Sequence, residues 1–536
     1  MHRLAPVPGL TEANRKWWVL IGTSGGLFLL MLDSTVVALA LPSIQGDIGA
    51  SNGQLQWVLN AYLVVIAAFV VTAGRFGDIF GRRRVFLFGL VIFGSGSVLC
   101  AAAWNPDVLI AGRVVMATGA AALLPLSLAL VTYVFPPEEQ QRAIGIWAGV
   151  SAIALGIGPL VGGALSDIDW RLIFVVNLPV VVLSVVIIRA AALEIRDETS
   201  PPKIDWPGLV LLTTGLTASV FALVNADDWG WTSAGTIGLL VAGLAALVAF
   251  WFVEHRVSNP IVEFELFRNR PYLGATAAAV GVVAMYWTLM FFEPQYLQNI
   301  LGYSAIEAGI LILPITLPTI VISPYSGALV KRFGARATMT TGMASGVIGL
   351  VILTQISGTS GYGQLFPGLL AIGFSFALVY APMSAAAMAA MPKAKAGIAS
   401  AGLAMNRVLS GAIGLAVVGA IFQSLQRAEL ESELDKAGVN LDGKETQQLD
   451  GLLAGSQQAI DAISQDSPSV TQQIEQVAAD AFTYALGNAI WVLVGVLAVS
   501  AVLTWWLVAP KQKPYVEPEA AQTPEHHHHR FGGFHL

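Results

Sequence analysis

The feature that most constrains this chain is a repeated one. Apolar stretches of about 20 residues, each long enough to cross a hydrocarbon layer of roughly 30 Å, follow one another almost from end to end. They lie near 17–41, 55–76, 85–103, 108–133, 142–165, 171–193, 207–226, 234–253, 272–297, 304–329, 337–357, 364–388, 400–424 and 482–508. A segment surrounded by lipid finds no water for its N–H and C=O groups, so it must satisfy them internally, as a helix does. Composition agrees: 55% of the 536 residues are hydrophobic and only 12% charged, and the mean hydropathy is +0.70. No soluble domain is that apolar. The expected fold class is an all-α polytopic membrane protein with 14 transmembrane spans. Trp17 to Leu41 is longer than the core of a cleavable signal, so no leader is expected to be removed. The single cysteine, Cys100, lies in a span, which leaves neither a disulfide framework nor a thiolate metal site.

Charge orients the chain. With a cytoplasmic N-terminus, all but six of the 28 Lys and Arg fall on the cytoplasmic side, the exceptions being Arg113, Arg171, Arg407, Arg427, Lys436 and Lys444. Both termini are then cytoplasmic, and the expected location is the inner (cytoplasmic) cell membrane. Segment 426–481 stands apart, with eleven acids against three basic residues. It is expected to be a long outer loop acting as a solvated spacer, within which the run from Glu429 to Lys436 has the pattern of an amphipathic helix.

An internal repeat divides the chain. Gly74-Arg-Phe-Gly-Asp78-Ile-Phe-Gly81-Arg82-Arg83 follows span 2, and Gly327-Ala-Leu-Val-Lys331-Arg-Phe-Gly334-Ala-Arg336 follows span 10. Both place glycines seven residues apart with an arginine two further on. Spans 1–6 and 9–14 thus form two related halves with spans 7 and 8 inserted, as in transporters built from repeats around a central site. The corresponding boundaries are a first six-helix bundle at 1–193, two inserted spans and their linkers at 194–271, a second six-helix bundle at 272–508 carrying the acidic loop, and a cytoplasmic tail at 509–536.

One residue inside the spans demands a reason. Asp33 sits about two-thirds of the way through span 1, where a charge is costly and a functional role is the default reading. All seven histidines lie outside the spans, and of the 34 carboxylates only Asp33 lies well inside one, with Asp78, Glu293 and Glu307 near span ends. If protons move through this protein, Asp33 carries them. Depth suggests its partner: Asp33 precedes Pro42 and Arg113 follows Asn105 by similar distances, placing both roughly 12–14 Å below the outer surface. A conformational change that separates Asp33 from Arg113 would act as a proton-release switch; the alternative is a static ion pair that fixes packing.

Here the residues resemble a known family. Gly74 to Arg84 is similar to the cytoplasmic loop signature of the major facilitator superfamily, and Leu32-Asp33-Ser-Thr35-Val to Pro42 resembles the first-span signature of its fourteen-span drug:proton antiporter branch. A third match is Gly145, Ala154, Gly158-Pro159 and Gly162-Gly163 in span 5, similar to the antiporter signature; Arg113 also falls where the family's fourth span carries an arginine. The resemblance implies the major facilitator fold, two six-helix bundles plus two inserted helices. It also implies a conformational gate formed by Gly74, Asp78, Gly81, Arg82 and Arg83 together with Gly145, Gly158, Pro159, Gly162 and Gly163. By themselves the glycines of span 5 form small faces that suit either a gate or ordinary tight packing, and Asp78 suits a helix cap or an arginine-paired latch between the halves.

Candidate substrate contacts are Asn60, Tyr62, Tyr286, Trp287, Glu293, Tyr380 and Asn406, together with Arg407, for which snorkelling to the cytoplasmic interface is the alternative. Glu293 offers a negative charge to a lipophilic cation if it faces a cavity. No phosphate-binding Gly-Lys-Ser/Thr loop and no catalytic constellation is present, so the energy source is an ion gradient and neither an enzyme nor a cofactor is expected. The expected activity is proton-coupled efflux, by alternating access, of hydrophobic and cationic drugs or biocides. A dedicated exporter of one endogenous metabolite, antibiotic or lipid is the alternative, and a non-transporting receptor or scaffold the distant one. The partners are then a small hydrophobic molecule, protons and the lipid bilayer, with no nucleic acid and no metal, for a monomeric protein. The tail residues His526 to His529 are assigned no function.

Overall fold

The computed structural model describes residues 11–12, 14–195, 205–257, 260–322, 325–357, 360–391, 396–436 and 468–509. Every regular element among them is helical. The first half comprises α1 (Arg15–Ile48), α2 (Asn52–Phe80), α3 (Arg82–Ala101), α4 (Pro106–Val134), α5 (Pro137–Ser166), the short α6 (Leu172–Val175) and α7 (Asn177–Ala191). Then come α8 (Trp206–Val224), the single turn α9 (Ala226–Trp229) and α10 (Ala234–Glu254). The second half comprises α11 (Arg270–Gln295), α12 (Ala305–Leu311), α13 (Leu313–Ile322), α14 (Ser326–Phe333), α15 (Ala335–Leu353), α16 (Tyr362–Ala389), α17 (Ala396–Lys436) and α18 (Pro468–Leu507).

Local chemistry sets the helix starts. Ser51 and Gln54 form a capping box at α2, and the Asn105 side chain accepts from Val108 N at 2.8 Å with Pro106 opening α4. Each arrangement satisfies an amide that the helix cannot bond itself. Two ends are handled by glycine. Gly81 (φ 109°) is the only residue between α2 and α3, and Gly334 (φ 86°) the only one between α14 and α15. The two repeated loops therefore turn on the same left-handed glycine, a backbone position that a side chain would strain.

Thirteen helices among the described residues are long and apolar enough to cross a membrane, and a bent pair makes the fourteenth. That pair is α12 and α13, which meet at 46° where one continuous span over 304–329 was expected. Pro314 explains the break, since its ring clashes with the carbonyl one turn earlier and it has no N–H to give. The acidic loop also differs from expectation. Helix α17 runs on through Lys436 and α18 begins at Pro468, so the outer segment is helical at both ends and only 437–467 lies outside the described residues. The Glu429–Lys436 run continues the helix of span 13 and is not a separate element.

The helices group as two bundles. Within the first, α1 packs on α5 and α7, α2 on α4 and α4 on α3; within the second, α11 packs on α16, α17 and α18, and α15 on α16. The inserted α8 and α10 pack on each other, and α8 leans on α2 and α17. Only 17% of the α10 crossing window is buried, so this helix shows most of its surface to lipid.

The halves meet along α5 against α12 and α13, and along α2 against α17. Three glycines on one face of α5 report how the contact varies. A Cβ on Gly163 would lie 2.8 Å from Ile306 Cα, one on Gly156 would strike the Ile320 side chain, and one on Gly149 would meet nothing within 4 Å. The halves are therefore closed at the face where α5 ends, called here the far face. They diverge toward the face where α1 and α5 begin, the N-terminal face.

Candidate functional site

In the first half, α1 presents Asp33 and α4 presents Arg113, and the two form an ion pair at 2.6 Å with each side chain 1% exposed. Arg113 is fully occupied: its Nε donates to Val58 O at 3.0 Å and its guanidinium lies 4.1 Å from the centre of the Tyr62 ring. Asn177 and Tyr62 flank Asp33. Asn177 is held by Ser97 at 3.2 Å, and Ser97 in turn donates to Phe174 O at 2.7 Å. The depth argument placed Asp33 and Arg113 correctly, whereas Asn177 was missed; an amide inside span 6 was the signal that could have found it. The arrangement can hold one charge pair away from water. Removing the charge of either member leaves the other buried and uncompensated, a cost of about 3–5 kcal/mol.

Asn60 lies on α2 one turn beyond Gln56, the side chain that meets Gly419 of α17. It is fully buried, and neither atom of its amide has a hydrogen-bond partner among the described residues. Glu293 is in the same situation. It is 0% exposed within α11, and neither carboxylate oxygen is bonded among the described residues. Its proximity to the span end was legible in the sequence, but its burial was not. Phe292 beside it packs on Phe422 at 4.6 Å, and Phe422 on Phe482 at 5.0 Å, so protein and not headgroups surrounds this part of α11.

The remaining substrate candidates form an aromatic stack across α11, α16 and α17. Tyr286 stacks on Phe376 at 4.1 Å, Phe376 on Tyr380 at 4.7 Å, and the Arg407 guanidinium covers the Tyr380 ring at 4.6 Å. Arg407 thus does not snorkel; it turns inward and donates to Ser384 Oγ. Trp287 stands edge-on to Tyr286 at 5.5 Å and lies against Gly411. Asn406 is engaged, donating to Thr276 O at 3.2 Å and tying α17 to α11.

The two sets of residues expected to form a gate make distinct contacts. Gly158 and Gly162 fit against α1: Gly158 meets Thr35, and a Cβ on Gly162 would sit 2.7 Å from Val36 O. Gly163 and the Pro159 carbonyl instead approach α12 of the other half, at Ile306 and Gly309. Gly145 lies in the same helix. Gly74 rests loosely on Pro125, 3.7 Å from its Cβ. Asp78 pairs with Arg82 at 2.9 Å, Arg83 donates to Arg189 O at 2.6 Å, and Arg84 reaches Glu194 at 3.4 Å. These partners all belong to the first half or its exit, so among the described residues Asp78, Arg82, Arg83 and Arg84 are held within that half.

The bridge at the far face uses a residue the sequence did not single out. Asp167, one residue past α5, accepts from Ala305 N at 2.9 Å and from Ile306 N at 3.3 Å. Ser304 and Glu307 cap the same helix start reciprocally, so the first amides of α12 are satisfied jointly by its own residues and by the opposite half. Nearby, Gln298 donates to Leu39 O at 3.1 Å, again across the halves.

Two helical bundles related by a repeat and closed against each other at one face, with a buried ion pair in the first and buried unbonded polar groups in both, have the architecture of a membrane transporter built from repeats. The chain belongs to the major facilitator superfamily, whose family profile matches residues 23–415. It is 35% identical over 420 residues to the multidrug resistance protein Stp of Mycobacterium tuberculosis, covering 78% of each chain. It is 32% identical over 423 residues to the tetracenomycin C resistance and export protein of Streptomyces glaucescens, again covering 78% of each. Its fold is similar to the crystal structure of a bacterial homologue of the human lysosomal transporter Spinster in an inward-facing, unoccupied conformation. That likeness has a TM-score of 0.65 at 16% identity, over 94% of this chain and 100% of the other.

Proposed function

We propose that this protein exports hydrophobic, drug-like small molecules from the cell in exchange for protons, by alternating access in the cytoplasmic membrane. The export reading rests on relatives that are resistance transporters, one of them an antibiotic exporter. The orientation rests on the Lys and Arg bias, which puts both termini and the N-terminal face in the cytoplasm. On that orientation the conformation with a closed far face is the inward-facing one, ready to load substrate from the cytoplasm.

The observation that carries the proton-coupled reading is the Asp33–Arg113 pair at 2.6 Å, buried from both faces. In the inward-facing state the carboxylate is held by its guanidinium, which corresponds to the proton having been given up. A shift of α1 against α4 inside the first half, accompanying the opening of the far face, would separate the pair and let Asp33 take a proton from outside. Return to the inward-facing state re-forms the pair and expels that proton inside. Each inward charge movement is worth about 2.3 kcal/mol per 100 mV.

The test is Asp33→Asn in vesicles with an imposed pH gradient. Drug-driven proton movement should fall to background while the protein remains inserted and folded at reduced detergent stability, because the amide keeps the shape and removes the exchangeable charge but leaves Arg113 uncompensated. Wild-type proton coupling in that variant would remove Asp33 from the mechanism. Glu293, buried and unbonded, is the second acid in the pathway, and its role is recognition of a substrate's positive charge.

A further inference from the structure

Arg113 and Arg407 are the two arginines turned inward within the halves, and they are not equivalent. Arg113 has a carboxylate, a carbonyl and an aromatic face. Arg407 stands near the start of the Gly402–Leu430 span, where a charge needs compensation, and has no carboxylate partner among the described residues. Its contacts are the Tyr380 face at 4.6 Å and Ser384 Oγ, and its Nε is buried with no hydrogen-bond partner among the described residues. Behind it the rings of Tyr380, Phe376 and Tyr286 continue as a stack, each successive pair inclined by 24°. Arg407, Tyr380, Ser384 and Trp287 are all partly exposed, in the part of the molecule where the halves diverge.

We infer that Arg407 and the Tyr380–Phe376–Tyr286 stack form a recognition site for planar aromatic molecules bearing a carboxylate or phenolate. The inference rests on the export reading and supplies a substrate class for it. A guanidinium with spare donors binds a carboxylate or phenolate oxygen through charge-assisted hydrogen bonds, and the incoming acid provides the counter-charge that the protein does not. A flat ring system next to Trp287 would lie on the guanidinium face opposite Tyr380, so that Arg407 joins it to the existing stack. The same guanidinium repels a lipophilic cation, so this site selects acids. Glu293, two turns further along α11 than Tyr286 and about 10 Å away, carries the opposite charge. A molecule with an acidic ring and a basic appendage would span both.

The test uses two xanthene dyes of nearly the same shape, fluorescein as the anion and pyronin Y as the cation. Binding to the purified full-length protein is read by fluorescence polarisation, and export by dye loss from energised cells. Arg407→Gln should weaken fluorescein binding about tenfold while leaving pyronin Y unchanged or tighter, and Arg407→Lys should restore only part of the loss, since an ammonium keeps the charge without the planar fork. Tyr380→Leu should weaken fluorescein as well. Fluorescein binding that ignores Arg407, or an equal loss for both dyes, would overturn the assignment, and pyronin Y export by the wild type would leave the export reading standing. Arg407-dependent fluorescein binding by a wild type that exports neither dye would do the reverse, keeping the site and sinking export.

Discussion

At the scale of single residues, the spans contain few charges, and each has a distinct electrostatic situation. Asp33 has a partner, Arg113 has three, Arg407 has an aromatic face without an acid, and Glu293 has no hydrogen-bond partner at all among the described residues. An unbonded buried carboxyl is retained at a cost, and a cationic substrate is what would repay it. Glu293→Gln should therefore reduce efflux of a divalent lipophilic cation about tenfold and of a matched monovalent one by no more than about twofold, because the second positive charge loses its counter-charge in a low-dielectric cavity. Matched dyes in vesicles with an imposed pH gradient measure this. An equal effect on both would mean that Glu293 does not meet the substrate. Elimination along the sequence found Asp33 because titratable groups can be counted without a structure. It left Arg407 between a substrate contact and a snorkelling residue, because a side chain's direction from its helix depends on what the neighbouring helices offer, here Tyr380 and Ser384.

At the scale of elements, α5 is the helix through which the first half meets α12 and α13 of the second. One of its faces, Gly158 and Gly162, is locked against α1 within the half, and the other, Gly156, Gly163 and the Pro159 carbonyl, touches α12 and α13 of the opposite half. The sequence left tight packing and gating as alternatives for these glycines, and the structure packs them on two faces, one inside the half and one across the halves. Asp167 completes the far-face contact by accepting two amides of α12. Opening that face must break both bonds and expose the amides to water, a capping contribution of about 1 kcal/mol. Asp167→Ala should accordingly shift the equilibrium about fivefold toward the far-face-open state, with Asp167→Asn between the two. Distances between spin labels placed on the far-face ends of the two halves report the populations; an unchanged distribution in both variants would show that the packing of Gly163 on Ile306 alone sets the balance.

At the scale of the whole molecule, the transport core and the acidic outer segment separate cleanly. The net charge is −6, and the 426–481 segment, with eleven acids against three basic residues, is more acidic than the chain as a whole. Helices α17 and α18 both extend into that segment, which moves its removable part to 437–467. Replacing those residues with a short Gly/Ser linker should leave efflux within about twofold of wild type at equal membrane abundance, since the stretch is polar and outside the repeated halves. Loss of efflux at normal abundance would make the segment part of the far-face gate.

The sequence by itself determined the number of spans, the helical class, the repeated glycine turns and the identity of the acid in span 1. These follow from quantities that are local or additive: a bilayer demands about 20 apolar residues per crossing, a left-handed turn demands glycine, and a charge inside a span demands a purpose. Only the tertiary structure decided which face of α5 packs on α1 and which meets the other half, that Asp78 pairs inside its own half, that Asp167 reaches across to α12, and that span 10 is bent at Pro314. It also decided that Arg407 points inward and that Glu293 is buried without a partner. Helix surfaces in lipid gain little from the hydrophobic effect, so close packing and polar contacts choose the partners, and the contact between Asp167 and Ala305 joins residues 138 positions apart, where no periodicity in the chain records it.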